Sequence, residues 1–108
     1  MARNEAELAP VVAAIRAAGG QAHGLRADLG DKDAIYPLAG AAAALCDGAI
    51  DIVIHNASTL GPLPLRGLLD TDCEDLERAL AVNLIGPFRL SKVLAGAMAL
   101  RGRGLLVH

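Results

Sequence analysis

The chain has 108 residues, carries 10 lysines and arginines against 12 aspartates and glutamates, and has a formal net charge of −2 at pH 7. This length allows one domain at most, and the near-neutral charge gives no basic surface of the kind that binds nucleic acid. With no tryptophan, one tyrosine and one phenylalanine, the core must consist of Leu, Ile, Val and closely packed alanines.

The apolar stretch at 79–100 is the one segment long enough to suggest a membrane span. It is interrupted by Asn83, Arg89 and Lys92, which a span of this length would not tolerate. The chain also does not open on a basic and then apolar leader. These features predict a cytoplasmic protein that binds neither membranes nor nucleic acid.

The first two predicted elements are a helix and a weak strand. Residues 4–18 predict a helix, because Asn4 can cap its start, an apolar stripe follows, and a glycine pair ends it. Pro10 conflicts with the second turn of this helix, so the helix either bends there or begins near Pro10. Residues 21–27 then predict a short strand of poor intrinsic quality.

A second helix is predicted between an aspartate-rich start and an Asp-Gly stop. Asp31 or Asp33 can cap it. The apolar residues that follow at helical spacing are Ile35, Leu38, Ala42 and Leu45. This helix leads directly into the most strongly patterned stretch of the chain.

That stretch, residues 50–54, contains branched apolar residues almost without interruption. Such a run is typical of a strand that is buried on both faces of a parallel sheet. Polar and small residues at 55–58 follow it at once. In open α/β sheets, ligands bind beyond the carboxyl ends of the strands, so residues 55–58 are the first candidate site. An ordinary turn after a core strand is the alternative.

Beyond a Gly- and Pro-rich loop at 59–65, residues 71–74 predict a capping box and a long helix over 72–100. Residues 105–107 begin a third strand. The residues of the long helix predicted to face a core are Leu76, Leu80, Leu84, Phe88 and Leu94. The alternation of helices and strands predicts a parallel α/β arrangement.

Pro87 marks a special position inside the long helix. Because proline has no N–H, Pro87 cannot donate to the carbonyl of Asn83 four residues earlier. Beside Gly86, this predicts a kink that turns a main-chain oxygen and an amide side chain toward water or a ligand. An incidental kink in a core helix is the alternative.

Three segments together resemble the short-chain dehydrogenase/reductase family: Asp28-Leu29, the turn His55 to Ser58, and Val82 to Phe88. The resemblance covers essentially the whole chain. It implies an α/β fold with a partial Rossmann-like parallel sheet of about three strands and three helices. Residues 1–108 would form a single partial NAD(P)-binding domain that is truncated at both ends.

The resemblance also implies roles for individual residues. Asp28 would hydrogen-bond the adenine ring, with the backbone of Leu29 beside it. Asn83 matches the family's catalytic asparagine, whose main-chain carbonyl holds a water in a proton relay. Arg3 matches a position that commonly takes the 2′-phosphate of NADP, and the absence of an acidic residue there favours NADP over NAD. The alternative is that Arg3 is a terminal cation without this role.

The turn after the central strand inherits a place along the cofactor cleft. The residues concerned are Asn56, Ala57 and Ser58. Two departures from the family pattern occur here, since Ser58 stands where glycine is usual and His55 where asparagine is usual.

The chain lacks the family's Gly-rich phosphate loop. It also lacks the Tyr-x-x-x-Lys pair, because Tyr36 is followed four residues later by Gly40. Ser91-Lys92 cannot replace the catalytic residues, because it lies on a different element from theirs. We therefore expect a fragment of an NAD(P)-dependent oxidoreductase that is inactive alone. The alternative is a non-catalytic α/β assembly module or truncated paralogue. In either case we expect a homo-oligomer formed through helix 72–100 or a sheet edge.

Overall fold

The structure is a computed structural model in which residues 4–108 are described. It is an α/β fold in which helices alternate with two short parallel strands. A π-helical turn, Ala81–Ile85, joins the third and fourth helices into one long rod. The elements are α1 (Glu5–Ala17), α2 (Ile35–Leu45), β1 (Ile52–Ile54), α3 (Cys73–Leu80), α4 (Gly86–Arg101) and β2 (Leu105–Val107).

The predicted first helix is confirmed. The Oδ1 of Asn4 accepts the backbone N–H of Ala6 at 3.0 Å, which caps the start of α1. The helix runs through Pro10 without ending there, so the alternative start near Pro10 is wrong. Past its end, the chain turns at Gly19 with a φ of +85°, a conformation that glycine adopts without strain.

The strand predicted at 21–27 is wrong. In this segment only Arg26 takes part in an isolated bridge. The segment packs on α1 instead, since a Cβ placed on Gly24 would lie 3.4 Å from the Cβ of Leu8. The Nε of Arg16 also donates to the carbonyl of Ala22 at 3.0 Å. A segment of weak β-propensity thus follows the helix it touches, and within residues 4–108 the sheet has two strands rather than three.

The two strands pair in parallel with Val53 opposite Leu106. Side chains alternate between the faces of a sheet, so Ile52 and Ile54 share one face and Val53 the other. Val53 packs against the core, but Ile52 is 60% exposed and Ile54 is 67% exposed. The expectation of burial on both faces is therefore wrong for residues 4–108, because the described elements cover only one side of the sheet.

The core lies between α2, α4 and the covered face of the sheet. Ile35 is fully buried at its centre. Around it pack buried residues from the loop before α2, from α2 itself and from α4: Leu29, Leu38, Ala39, Leu90 and Leu94.

The long helix places its leucines differently from the prediction. Of the five residues predicted to face a core, only Leu94 is buried. The other four form an exposed stripe that we call the outer stripe: Leu76, Leu80, Leu84 and Phe88. The sequence makes this helix apolar on more than one face, and periodicity alone does not say which face packs inside.

Unlike the cap at Asn4, the caps predicted for the second helix and for the long helix do not form. Ala34 is the N-cap residue of α2 and makes no side-chain cap, while the Oδ1 of Asp31 accepts the N–H of Asp33 at 2.9 Å in the turn before the helix. At α3 the N-cap residue is Asp72, whose carboxylate faces Arg66 at 3.3 Å rather than the helix end. In both places the aspartate carboxylate binds another partner instead of the first N–H groups of the helix.

Candidate functional site

The π-helical turn Ala81–Ile85 is the element on which the candidate site converges. The N–H of Gly86 donates to the carbonyl of Ala81, five residues earlier, which is the π pattern. Pro87 offers no N–H to the carbonyl of Asn83, so the α-helical bond at this position cannot form. The irregularity predicted from Pro87 is therefore present.

The side chain of Asn83 does not face a ligand, which corrects one part of that prediction. Its Oδ1 accepts the N–H of Thr59 at 2.8 Å, and its Nδ2 donates to the carbonyl of Thr59 at 2.8 Å. The side-chain amide thus pairs with both backbone groups of Thr59, as the backbone of a neighbouring strand would, and it holds the loop after β1. The part of Asn83 that is left for chemistry is its main-chain carbonyl.

The turn formed by Asn56, Ala57 and Ser58 is exposed, and the residues on either side of it hold it in place. These three residues make no hydrogen bond within the described chain. The turn is anchored at one end by His55, whose N–H donates to the carbonyl of Val107 at 2.9 Å. At the other end it is anchored by Thr59 and its amide partner.

A histidine and serine cluster lies at the carboxyl ends of the two strands. The Nε2 of His55 is 2.8 Å from the Oγ of Ser91 on α4, and the Nε2 of His108 is 3.5 Å from the same oxygen. The two imidazoles stack with centroids 4.6 Å apart and planes 24° apart. Partial burial, and then the nearby charge of His108, lower the pKa of His55 below its ordinary value of 6.5.

The sequence-based reasoning missed this cluster. It treated Ser91 as a residue on the wrong element and gave His108 no role. The signal that could have found the cluster is the register of the sheet: His55 and His108 directly follow the last residues of β1 and β2, which pair with each other. Residues after paired parallel strands lie side by side.

Asp28 lies in the loop before α2. Its Oδ1 accepts the N–H of Gly30 at 2.9 Å. It lines a groove together with Gly30 and Val82, and the groove walls carry further charged side chains: Asp31, Glu74, Glu77 and Arg78. Four carboxylates and one guanidinium make this groove strongly negative.

Leu29 contributes its side chain to the core, where it is 5% exposed. Its backbone lies against Gly86 so closely that a Cβ on Gly86 would meet the Leu29 carbonyl oxygen at 2.3 Å. The structure therefore brings the loop around Asp28 and the turn after β1 to one helical segment. Arg3 lies outside the described residues.

Replacing Asn83 with alanine is expected to release the loop after β1. Two hydrogen bonds disappear, and in this exposed setting we expect a loss of about 1 to 2 kcal/mol in the free energy of unfolding. Urea denaturation followed by circular dichroism measures this loss. The matched control is Asn56→Ala, which removes an exposed amide that has no partner among residues 4–108 and should change stability by less than about 0.5 kcal/mol. Equal stabilities of the two variants would contradict the role given to Asn83.

Comparisons with known proteins agree with this geometry. A family model described as short chain dehydrogenase matches residues 1–108. The chain is 35% identical over 108 residues to a fatty acyl-CoA reductase of Mycobacterium tuberculosis, covering 100% of this chain and 36% of that protein. It is 33% identical over 97 residues to a 7alpha-hydroxysteroid dehydrogenase of Escherichia coli, covering 90% and 36%.

Among solved structures, it resembles a metagenomic short-chain oxidoreductase in complex with NADP, with a TM-score of 0.83 and 32% identity. The match covers 96% of this chain and 45% of that one. The chain spans between 22% and 36% of the length of the curated relatives it matches. Within residues 4–108, no helix is both long and apolar enough to cross a membrane, and no group of three or more His, Cys, Asp or Glu side chains could hold a metal ion.

Proposed function

Because the chain belongs to the short-chain dehydrogenase family, we propose that it serves an NAD(P)-dependent oxidoreductase by forming the adenine side of the cofactor site and one wall of the reaction cleft. The cofactor supplies the acceptor or donor of a hydride that is exchanged with a carbonyl or alcohol substrate. We assign this activity to an intact enzyme. The 108 residues contain no Tyr-x-x-x-Lys pair to move the proton.

One observation supports this proposal above the others: two separate stretches meet at the segment 81–86. The loop at Asp28 and Leu29 packs against Val82 and Gly86. The loop after β1 is held by Asn83. A cleft at the carboxyl end of a parallel sheet is where open α/β folds bind their ligands.

The groove at Asp28 fits adenine better than it fits phosphate. The second oxygen of the Asp28 carboxylate has no partner among the described residues and can accept a hydrogen bond from the exocyclic amine of adenine. The surrounding carboxylates would repel a phosphate group. We therefore assign the adenine ring to Asp28 and the Leu29 backbone, and the 2′-phosphate of NADP to Arg3.

The remaining roles belong to residues that lie along the cleft. We assign the cleft wall to the turn Asn56 to Ser58. The main-chain carbonyl of Asn83, which Pro87 deprives of its α-helical donor, would hold a water molecule and so pass a proton toward the solvent. We also propose that the protein works in the cytoplasm.

The expected result of a nucleotide titration is weak, adenine-directed binding. One or two hydrogen bonds without pyrophosphate contacts give a Kd of about 1 mM or weaker for NADP and for adenosine. Amide chemical shifts around Asp28 would report this binding. Asp28→Asn should abolish it, while Asp33→Asn, which changes a carboxylate lining a different groove, should not. Micromolar NADP binding, or shifts confined to residues far from Asp28, would refute the assignment.

We further propose that the chain assembles with a second copy of itself through the outer stripe. All four residues of the stripe are between 46% and 62% exposed, which is unusual for large apolar side chains in such a row. Glu77 and Arg89 each follow a stripe residue by one position and therefore flank it on the same side. Neither makes an ion pair within the described residues.

These flanking charges favour an antiparallel arrangement. A two-fold axis near the middle of the stripe would bring Leu76 of one copy to Phe88 of the other, because stripe positions pair in reverse order. The same axis would bring Glu77 of each copy near Arg89 of its partner. Such an interface also suits the alternative function, a non-catalytic assembly module, whose distinguishing property is oligomer formation without nucleotide binding.

A further inference from the structure

The cluster of His55, Ser91 and His108 occupies the carboxyl ends of both strands and has no part in the function proposed above. We propose that these imidazoles, acting through the Ser91 hydroxyl, position the turn at 56–58, and that they do so only until both rings are protonated. The cluster would thus make the cleft wall sensitive to acid.

The repulsion between two charged rings stacked on each other sets this limit. Ser91 Oγ carries one hydrogen, so it can donate to one Nε2 and accept from the other. That arrangement is satisfied when both rings are neutral and also when one ring carries the extra proton. When both rings are charged, Ser91 Oγ would have to accept from both Nε2 atoms and turn its own hydrogen away, and two like charges would stack with centroids 4.6 Å apart and repel each other. The cluster can therefore hold one added proton but not two.

The turn depends on this cluster because it has no hydrogen bonds of its own among the described residues. Its downstream end is held by Asn83 through Thr59. Its upstream end is held by His55, through the backbone bond to Val107 and the side-chain contact with Ser91. Separation of the cluster would leave the upstream end with the backbone bond alone.

The other charged groups near the cluster face elsewhere. On α4, Lys92 follows Ser91 but lines a groove with Lys32 and Tyr36. Asp51 directly precedes β1, at the opposite end of the strand from His55, and its Oδ1 is 3.3 Å from the Nε of Arg103. His108, on the element paired with β1, is the charged group that acts on His55.

The direction of the pH effect follows from linkage. The pKa of His55 is lower in the folded chain than its ordinary value of 6.5, so the unfolded chain binds more protons in the interval between the two values. The stabilisation is therefore fully present above pH 6.5 and is lost as the pH falls through the folded pKa. The turn should loosen as the solution becomes acidic, not as it becomes basic.

The test is amide hydrogen exchange of the whole chain, with the intrinsic pH dependence of exchange divided out, between about pH 7.5 and about pH 5.5, which brackets the ordinary histidine pKa. On acidification we expect a several-fold loss of protection at the amide of residue 55, which donates to the carbonyl of Val107 at the upstream end of the turn. The double variant His55→Gln with His108→Gln should remove this pH dependence, because glutamine cannot titrate. His23→Gln, which changes the remaining histidine at an exposed position, should retain it.

Two results would overturn the proposal: pH-independent protection of the turn in the unmodified chain, or full pH dependence in the double variant. If the double variant fails to fold, the unmodified chain still decides the matter. The amide shifts of Asn56 to Thr59 must then follow the titration of the His55 ring in an NMR series, and a lack of correspondence refutes the inference. No arm requires nucleotide, so this test and that of the cofactor assignment can fail separately.

Discussion

Replacing Gly86 with alanine is expected to unfold most of the chain at room temperature or to lower its Tm by about 10 °C or more. The new Cβ would meet the carbonyl oxygen of Leu29 at 2.3 Å, its Cβ at 3.0 Å and the carbonyl oxygen of Ala81 at 3.1 Å. Two of these atoms are backbone and cannot move aside as a side chain would. Moving backbone in a packed core costs about 3 kcal/mol or more, a large part of the stability of a small domain.

The matched control for this substitution lies in the same helix. Gly96 is in the interior of α4, and a Cβ placed there meets nothing within 4 Å. Gly96→Ala should therefore raise stability by up to about 1 kcal/mol through helix propensity. Thermal unfolding followed by circular dichroism compares the two variants directly. A Gly86→Ala chain as stable as the unmodified chain would mean that the loop at 28–30 does not rest on the helix as described.

Replacing Leu84 with lysine is expected to convert the dimer proposed above into a monomer. The substitution places one charge from each copy at the centre of the outer stripe, where burial of a charge without a partner is costly. An interface of this kind buries about 1,000 Å² or more. With about 2 kcal/mol lost in each copy, the Kd of the dimer should rise roughly a thousandfold. Light scattering at micromolar concentrations measures the change in mass.

Leu100→Lys is the control for this experiment, because Leu100 is 92% exposed on the same helix and lies off the outer stripe. It should leave the dimer intact. The antiparallel register has its own test: Glu77→Arg should weaken the dimer, and combining it with Arg89→Glu should restore it. A well-folded unmodified chain of single-chain mass would refute the interface, and failure of the charge swap to restore the dimer would refute the register.

The sequence predicts those parts of the fold whose causes are local. The cap at Asn4 and the branched run that becomes β1 both depend on residues within one or two turns. The segment 21–27 shows the opposite case, because a strand of weak propensity forms only beside another strand. In the described chain its neighbour is α1.

The candidate site likewise contains features with local causes, which the sequence predicts, and features with non-local causes, which it does not. A purely local rule, the missing N–H of Pro87, points to the main-chain carbonyl of Asn83. The partner of the Asn83 side chain is Thr59, 24 residues away, and no local pattern connects the two. The cluster of His55 and His108 appears only once the register of two strands that are far apart in the sequence is known.

The π-helical turn also changes the direction in which the residues of the long helix face around its axis. Residues spaced by four advance farther than one 3.6-residue turn, so a row of four such residues drifts by about 1.2 residues around a regular α-helix. A single π turn absorbs about one residue and nearly cancels this drift. The outer stripe can thus run straight across the junction while α4 keeps Leu90 and Leu94 directed at the core. One inserted residue lets a single rod present two continuous apolar faces, one to the core of its own chain and one, the outer stripe, to the proposed partner.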